Sequence, residues 1–242
     1  MTACPSWIQQ QPIAHRGLHS PGIPENSMPA FEAAIARGYA IELDIQRLAD
    51  GALAVFHDKT LMRLTGKTGR IVEQTADRVQ QLTLLGTAHR VPLLVDVLAH
   101  VAGRVPVIIE IKNDGAVGPT EAELARVLSQ YSGDCAVQAF LPRSLAWFKA
   151  HDPAIPRGQL ASNFAGHPIS WSQRLLLSNL LMTWASSPQF IAYDINALPT
   201  LSVAVAAGLF QLPVLAWTVR TQTDWIKAKR YADNIIFEQL RP

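Results

Sequence analysis

"AIELDIQRLADGALAVFHD", Ala40 to Asp58, decides how the rest of the chain is read. Its first half alternates. Ile41, Leu43 and Ile45 fall on one face, Glu42 and Asp44 on the other. That sorting has a period of two, so the segment reads as a strand and not a helix. An Asp-Gly turn follows at Asp50–Gly51, and "GALAVFHD" reads as a return arm. The turn predicts a hairpin in place of a helical crossover. A strand with two carboxylates on one face raises the question of what they meet.

Working outward, "VPVIIEIK" repeats the pattern, with Glu110 and Lys112 interleaved with isoleucines. "PIAHR" is a short strand before the opening segment, and "DCAVQAF", "PRGQLAS", "FIAYDI", "PVLAWTV" and "NIIFE" are strands after it. Helical patterns lie between: "SMPAFEAAIARG", "PLLVDVLAHVAG", "TEAELARVLSQY", "PRSLAWFKAHD", "SQRLLLSNLLMTWA", "LPTLSVAVAAG" and "TQTDWIKAKRYA". Thr120 is the expected cap of the fourth strand's helix, with Glu123 at capping-box spacing. Residues 59–91 look polar and irregular. Setting aside the arm at 52–58, eight strands alternate with helices. This predicts an α/β (β/α)8 TIM barrel, one domain over 1–242, with a small insertion at about 52–91. Only "QLRP" follows the last strand, so the last helix is expected to be truncated or absent. A doubly wound open sheet is the alternative.

Composition supports a layered fold and excludes some functions. Hydrophobic residues make up 49% and charged residues 17%, below the roughly 25% charged of an average domain. A net charge of +2 gives no case for nucleic-acid binding. Cys4 and Cys135 lie far apart without metal-site spacing, and "MTACPSWIQQQ" lacks the plan of a signal peptide. These point to a reduced, cytoplasmic setting. Leu201–Val219 has no charge, but Gly208, Gln211 and Pro213 break it, so no stable membrane insertion is expected. A homo-oligomer is left open.

In a barrel the chemistry sits at the C-terminal strand ends. His15 and Arg16 end the first strand, His57 and Asp58 the hairpin arm. Glu42, Asp44, Glu110 and Lys112 stand late in neighbouring strands, with Gln138, Phe140 and Trp217 in later ones. Three carboxylates so placed would repel, and a hard divalent cation with oxygen ligands, Mg2+ or Ca2+, resolves this. Two histidines facing it suit general acid–base catalysis, and Arg16 with Lys112 suits a phosphate ester. Singly, each residue reads as a solvated edge or an ordinary surface group; together they read as a site.

"HRG", "PENS", "ELD", "FHD", "EIK", "QAF" and "WT" follow the order of the glycerophosphodiester phosphodiesterases, which the chain resembles from His15 to at least Trp217. The resemblance implies a barrel, a divalent metal, and hydrolysis of a small-molecule glycerophosphodiester to an alcohol and glycerol phosphate. It makes His15 and His57 the acid/base pair and Glu42, Asp44 and Glu110 the metal ligands. Arg16 and Lys112 become phosphate contacts, and Gln138, Phe140 and Trp217 substrate contacts. Asn26 reads as a helix cap. The chain departs from the family where Val219, Arg220, Phe237 and Glu238 stand at late strand ends; Arg220 would meet a phosphate or lie solvated. Two alternatives remain: a lipid phosphodiesterase resembling lysophospholipase D or sphingomyelinase D, and a non-catalytic phosphate-ester-binding barrel. For the lipid reading, the apolar stretch Trp171–Ala185 would touch a bilayer or acyl chain; the favoured reading packs it on the strands as a barrel helix.

Overall fold

The computed structural model describes residues 4–113, 115–166 and 168–242. Among them the chain forms nine strands: β1 (Ile13–Ala14), β2 (Ala40–Arg47), β3 (Leu53–Val55), β4 (Val107–Ile111), β5 (Cys135–Ala139), β6 (Arg157–Ala161), β7 (Phe190–Asp194), β8 (Val214–Val219) and β9 (Asn234–Phe237). The strand order is β1-β9-β8-β7-β6-β5-β4-β2-β3, and β1 also pairs with β2. That order returns on itself through the eight strands other than β3, so the fold is a (β/α)8 barrel and not an open sheet. The chain divides into two compact units, residues 14–135 and residues 1–13 with 136–242.

In the 14–135 unit, β2 pairs parallel to β4, with Asp44 opposite Glu110 and Glu42 opposite Ile108. Ile41, Leu43, Ile45, Val107, Ile109 and Ile111 are all buried. The expected hairpin is present: β3 runs antiparallel to β2, Ile45 opposite Val55. The Leu94–Val101 helix buries Leu94, Val97, Leu98 and Val101, one face at helical spacing.

The 59–91 segment is more ordered than its polarity implied. It forms short helices at Met62–Thr65, Ile71–Glu73 and Ala76–Val79. Leu61, Leu64, Ile71, Val79, Leu82, Leu84 and Val91 pack with Leu48 and Phe56 into a core of their own. Their irregular spacing hid them, because each helix is only about one turn long. The cap reading at Thr120 is also corrected. The helix Pro119–Leu128 starts earlier, with Gly118 as N-cap. The Glu121 carboxylate accepts the Gly118 N–H at 2.7 Å, while Glu123 pairs with Arg126. Pro119 decides this, since its fixed φ and missing N–H suit the first helical position.

In the other unit β5 to β9 pair parallel in sequence order. No helix follows β9 among the described residues. The short Trp7–Gln10 helix lies beside β9 instead, and the Asn234 amide donates to the carbonyls of Ile8 and Gln11 at 2.7 and 2.8 Å. The four departures from the family pattern prove to be two pairs. Val219 and Phe237 are buried partners across β8 and β9. Arg220 Nη2 lies 2.9 Å from Glu238 Oε2, and its side chain stays 46% exposed, so Arg220 is solvated and also ion-paired. The apolar Trp171–Ala185 stretch is not one packed helix. It breaks into Trp171–Ser178 and Thr183–Ser186, and the first of these buries none of its residues.

Candidate active site

The candidate site residues of the 14–135 unit are carried by two parallel strands and two loops. The register of β2 and β4 sets Asp44 beside Glu110, and the strand period puts Glu42 on the same face. One carboxylate oxygen from each of the three lies within 4.8 Å of the others, and all three residues are buried. Lys112 Nζ stands 2.5 Å from Glu110 Oε1 and 3.2 Å from Asp44 Oδ1. Both oxygens are buried, and the ammonium favours their ionised form.

Electrostatics divide the three acids. Burial, then Asp44 and Glu110, push Glu42 well above the ordinary carboxylate value. Burial also lifts Glu110, to about 7, against the pull of Lys112. Asp44 goes the other way: burial raises it, but Lys112 and Arg16 overcome that and hold it below the usual range. Three acids against two adjacent cations leave an excess of negative charge when all are ionised. An all-oxygen donor set with this excess fits a hard divalent cation.

The loop after β1 is built around Gly17. A Cβ there would lie 2.9 Å from backbone and side-chain atoms of Ala30, and its φ is +78°. Only glycine lets the loop press onto the Met28–Ile35 helix. Arg16, also left-handed at φ 56°, turns its N–H to Glu42 Oε2 at 3.0 Å. Its guanidinium reaches Asp44 Oδ2 at 3.2 Å and Glu25 Oε1 at 2.6 Å. His15 Nε2 is 4.0 Å from Glu42 Oε2.

Asn26 is not the helix cap; Ser27 holds that position. The Asn26 amide donates to Asp44 Oδ2 at 2.9 Å, and its backbone N–H donates to the Arg16 carbonyl at 2.9 Å. A left-handed φ of 52° aims it inward. The Pro-Glu-Asn-Ser turn therefore braces Arg16 and Asp44.

His57 follows β3, where its Nδ1 lies 2.8 Å from Asp58 Oδ1. An ionised Asp58 accepts only, so Nδ1 carries the proton and Nε2 is left as the ring's acceptor. Burial depresses the His57 pKa; Asp44 opposes this while Lys112 and Arg16 add to it. The Gln46 amide donates to the carbonyls of Phe56, His57 and Asp58 at 2.9–3.2 Å and pins this loop to β2.

Two residues that sequence reasoning passed over complete the arrangement: Gln46, just described, and Arg63. Arg63 Nε and Nη2 donate to the two Asp58 oxygens at 2.6 and 2.8 Å, and Nη1 and Nη2 donate to the two Glu25 oxygens at 2.7 and 2.8 Å. One guanidinium thus ties the carboxylate behind His57 to the carboxylate behind Arg16. These bonds hold Arg63 above its ordinary pKa. Against burial, Arg63 and His57 bring Asp58 down to about 2. Lysine cannot form two bidentate pairs. Arg63→Lys is therefore expected to lower kcat by roughly 10–100-fold through misplaced groups, with little change in melting temperature. Steady-state kinetics beside thermal unfolding would show it; unchanged kcat would remove Arg63 from the account.

Gln138, Phe140 and Trp217 belong to the other unit. Phe140 meets Trp217 and Phe164 edge to face, with centroids 5.6 and 5.7 Å apart, and the Gln159 amide donates to the Phe140 carbonyl at 3.2 Å.

Comparison with known proteins agrees with this geometry. The chain is 29% identical over 219 residues to the Bacillus subtilis (strain 168) protein YhdW, covering 87% of this chain and 86% of that one. A glycerophosphodiester phosphodiesterase of Caldanaerobacter subterraneus is 33% identical over 129 residues, half of this chain and 53% of that one. Among solved structures, a phosphodiesterase from Oleispira antarctica in complex with the product sn-glycerol-3-phosphate superposes with a TM-score of 0.78 at 23% identity, over 94% of this chain and 92% of that one. The glycerophosphodiester phosphodiesterase of Thermotoga maritima gives a TM-score of 0.74 at 22% identity, over 94% of both chains. These structures share the barrel fold. The sequence profile of one family spans residues 15–238, from His15 past the last strand. That span takes in the loop glycine, the acid-bearing strands and the histidine arm, and the chain belongs to the glycerophosphoryl diester phosphodiesterase family.

Proposed function

We propose that this phosphoric diester hydrolase cleaves glycerophosphodiesters to an alcohol and glycerol phosphate with one divalent cation, Mg2+ or Ca2+, held by Glu42, Asp44 and Glu110. The observation that carries the reading is the convergence of those three buried carboxylates within 4.8 Å in the unit that also holds the Asp58-bound His57. The cation would supply Lewis-acid stabilisation of charge on the phosphoryl oxygens. Arg16 and Lys112 contribute fixed positive charge to the same phosphate.

His57 is the base of the first step in this reading. Its Nδ1–H donates a hydrogen bond to Asp58, and its lowered pKa keeps Nε2 unprotonated near pH 7. Nε2 takes the proton of the glycerol hydroxyl next to the phosphoester, and that oxygen attacks phosphorus. His15 protonates the departing alkoxide. Water then opens the cyclic phosphodiester with the two imidazoles in reversed roles. Substrate contacts by Gln138, Phe140 and Trp217 rest on the family resemblance alone.

A panel of glycerophosphodiesters and lysophospholipids, followed by phosphorus NMR, tests the assignment. Glycerol phosphate is expected from the soluble diesters, in a reaction that chelator stops. Release of no phosphomonoester from any diester would leave the binding-barrel alternative standing.

A further inference from the structure

We propose that the 171–210 face of the 136–242 unit is an interfacial docking surface for anionic lipid. Trp171 and Trp184 are 79% and 75% exposed, and Leu175, Leu176 and Leu181 between them are exposed as well. The face continues onto the Leu201–Gly208 helix. Tyr193 Oη donates to the Ser178 carbonyl at 2.8 Å, and Ser202 Oγ reaches the same oxygen at 3.5 Å. These bonds set the end of the Trp171–Ser178 helix beside the start of the Leu201–Gly208 helix. There Leu201, Val205 and Leu209, four residues apart, form a second exposed stripe that ends at Phe210. So much contiguous apolar surface marks an interaction site.

Charge and residue type select the occupant. No Asp or Glu occurs between Asp152 and Asp194. Exposed cations flank the apolar residues: Arg174 lies on the Trp171–Ser178 helix, and Lys149 reaches the Trp184 carbonyl at 3.4 Å. An apolar face bounded by tryptophans and basic residues, with Asp194 its single carboxylate between 153 and 210, complements an anionic headgroup layer above acyl chains. None of the described helices is long and apolar enough to cross a membrane, so the contact is one of lying on the surface. The inference does not depend on which diester is hydrolysed.

The test is flotation of the full chain with vesicles of phosphatidylcholine alone and of phosphatidylcholine mixed with phosphatidylglycerol. Binding is expected to the anionic vesicles, to weaken with salt, and to be far weaker on phosphatidylcholine. Trp171→Ala and Trp184→Ala should each reduce it about ten-fold, and Arg174→Gln about five-fold. Turnover of a soluble diester should stay unchanged in all three, which shows that they fold. Absence of flotation, flotation indifferent to the variants, or equal binding to both vesicle types would overturn the proposal. So would concentration-dependent self-association lost in the tryptophan variants without vesicle binding, which would make the face a contact between copies.

Discussion

Asp44→Ala is expected to remove divalent-ion binding and, with it, turnover. Outer-shell partners of metal ligands are commonly worth 10–100-fold in affinity or activity, so loss of a ligand should cost at least about 100-fold. Asp44 is the most connected of the three acids, pairing with Arg16, Lys112 and Asn26 at once. Its removal also frees both cations from their shared anion. A stability measurement separates these effects. In the metal-free chain Glu42 and Glu110 are raised, Glu110 to about 7. A carboxyl whose folded pKa lies above its unfolded value binds extra protons in the folded state. Its stabilisation is complete below the ordinary value of 4.5 and is lost as pH rises toward about 7. Metal-free protein should therefore melt at lower temperature as pH rises through this window. Added Mg2+ or Ca2+ should restore the loss in the wild type and not in Asp44→Ala. Asp44 itself is depressed and matters only as pH falls below its ordinary value. Thermal scans with chelator and with added ion across the window would check this, and a chelated protein steadier at high pH than at low would contradict it.

His57→Ala and His15→Ala should each lower kcat by roughly 10²–10⁴-fold, the usual worth of a positioned acid or base. The wild-type profile should be a bell, because one imidazole must be neutral while the other is protonated. On the proposed roles the two losses should be unequal on a chosen substrate. His57, its Nδ1 held by Asp58, is the proposed base, so a better leaving group should not spare His57→Ala. His15→Ala should recover most of its activity on such a substrate, since a stable alkoxide needs no proton. Kinetics on a paired nitrophenyl and alkyl diester would decide it. Equal rescue of both variants would reverse or remove the assignment.

The carboxylate cluster was legible in sequence because strand periodicity is strict. Once β2 was read as a strand, Glu42 and Asp44 had to share a face, and the register that sets Glu110 opposite Asp44 brings the third acid to it. What escaped depended on contacts between distant segments. Arg63 sits on a one-turn helix inside an insertion that looked polar, and nothing local marks its reach to Glu25, 38 positions away. Asn26 followed cap statistics, yet a left-handed backbone redirected its amide to Asp44. Gln46 looked like one more strand residue until the loop it pins was in place. The Trp171–Ala185 stretch was read as a packed barrel helix from its leucines alone. Composition cannot tell an apolar face turned to a core from one turned outward, and here the helix breaks before it can be covered.

Calorimetric titration of metal-stripped protein with Mg2+ or Ca2+ tests the central claim most directly. One saturable ion per chain is expected for the wild type, with binding lost or severely weakened in Glu42→Ala, Asp44→Ala and Glu110→Ala, and retained in His15→Ala and His57→Ala. Wild-type affinity in the three carboxylate variants would contradict the account.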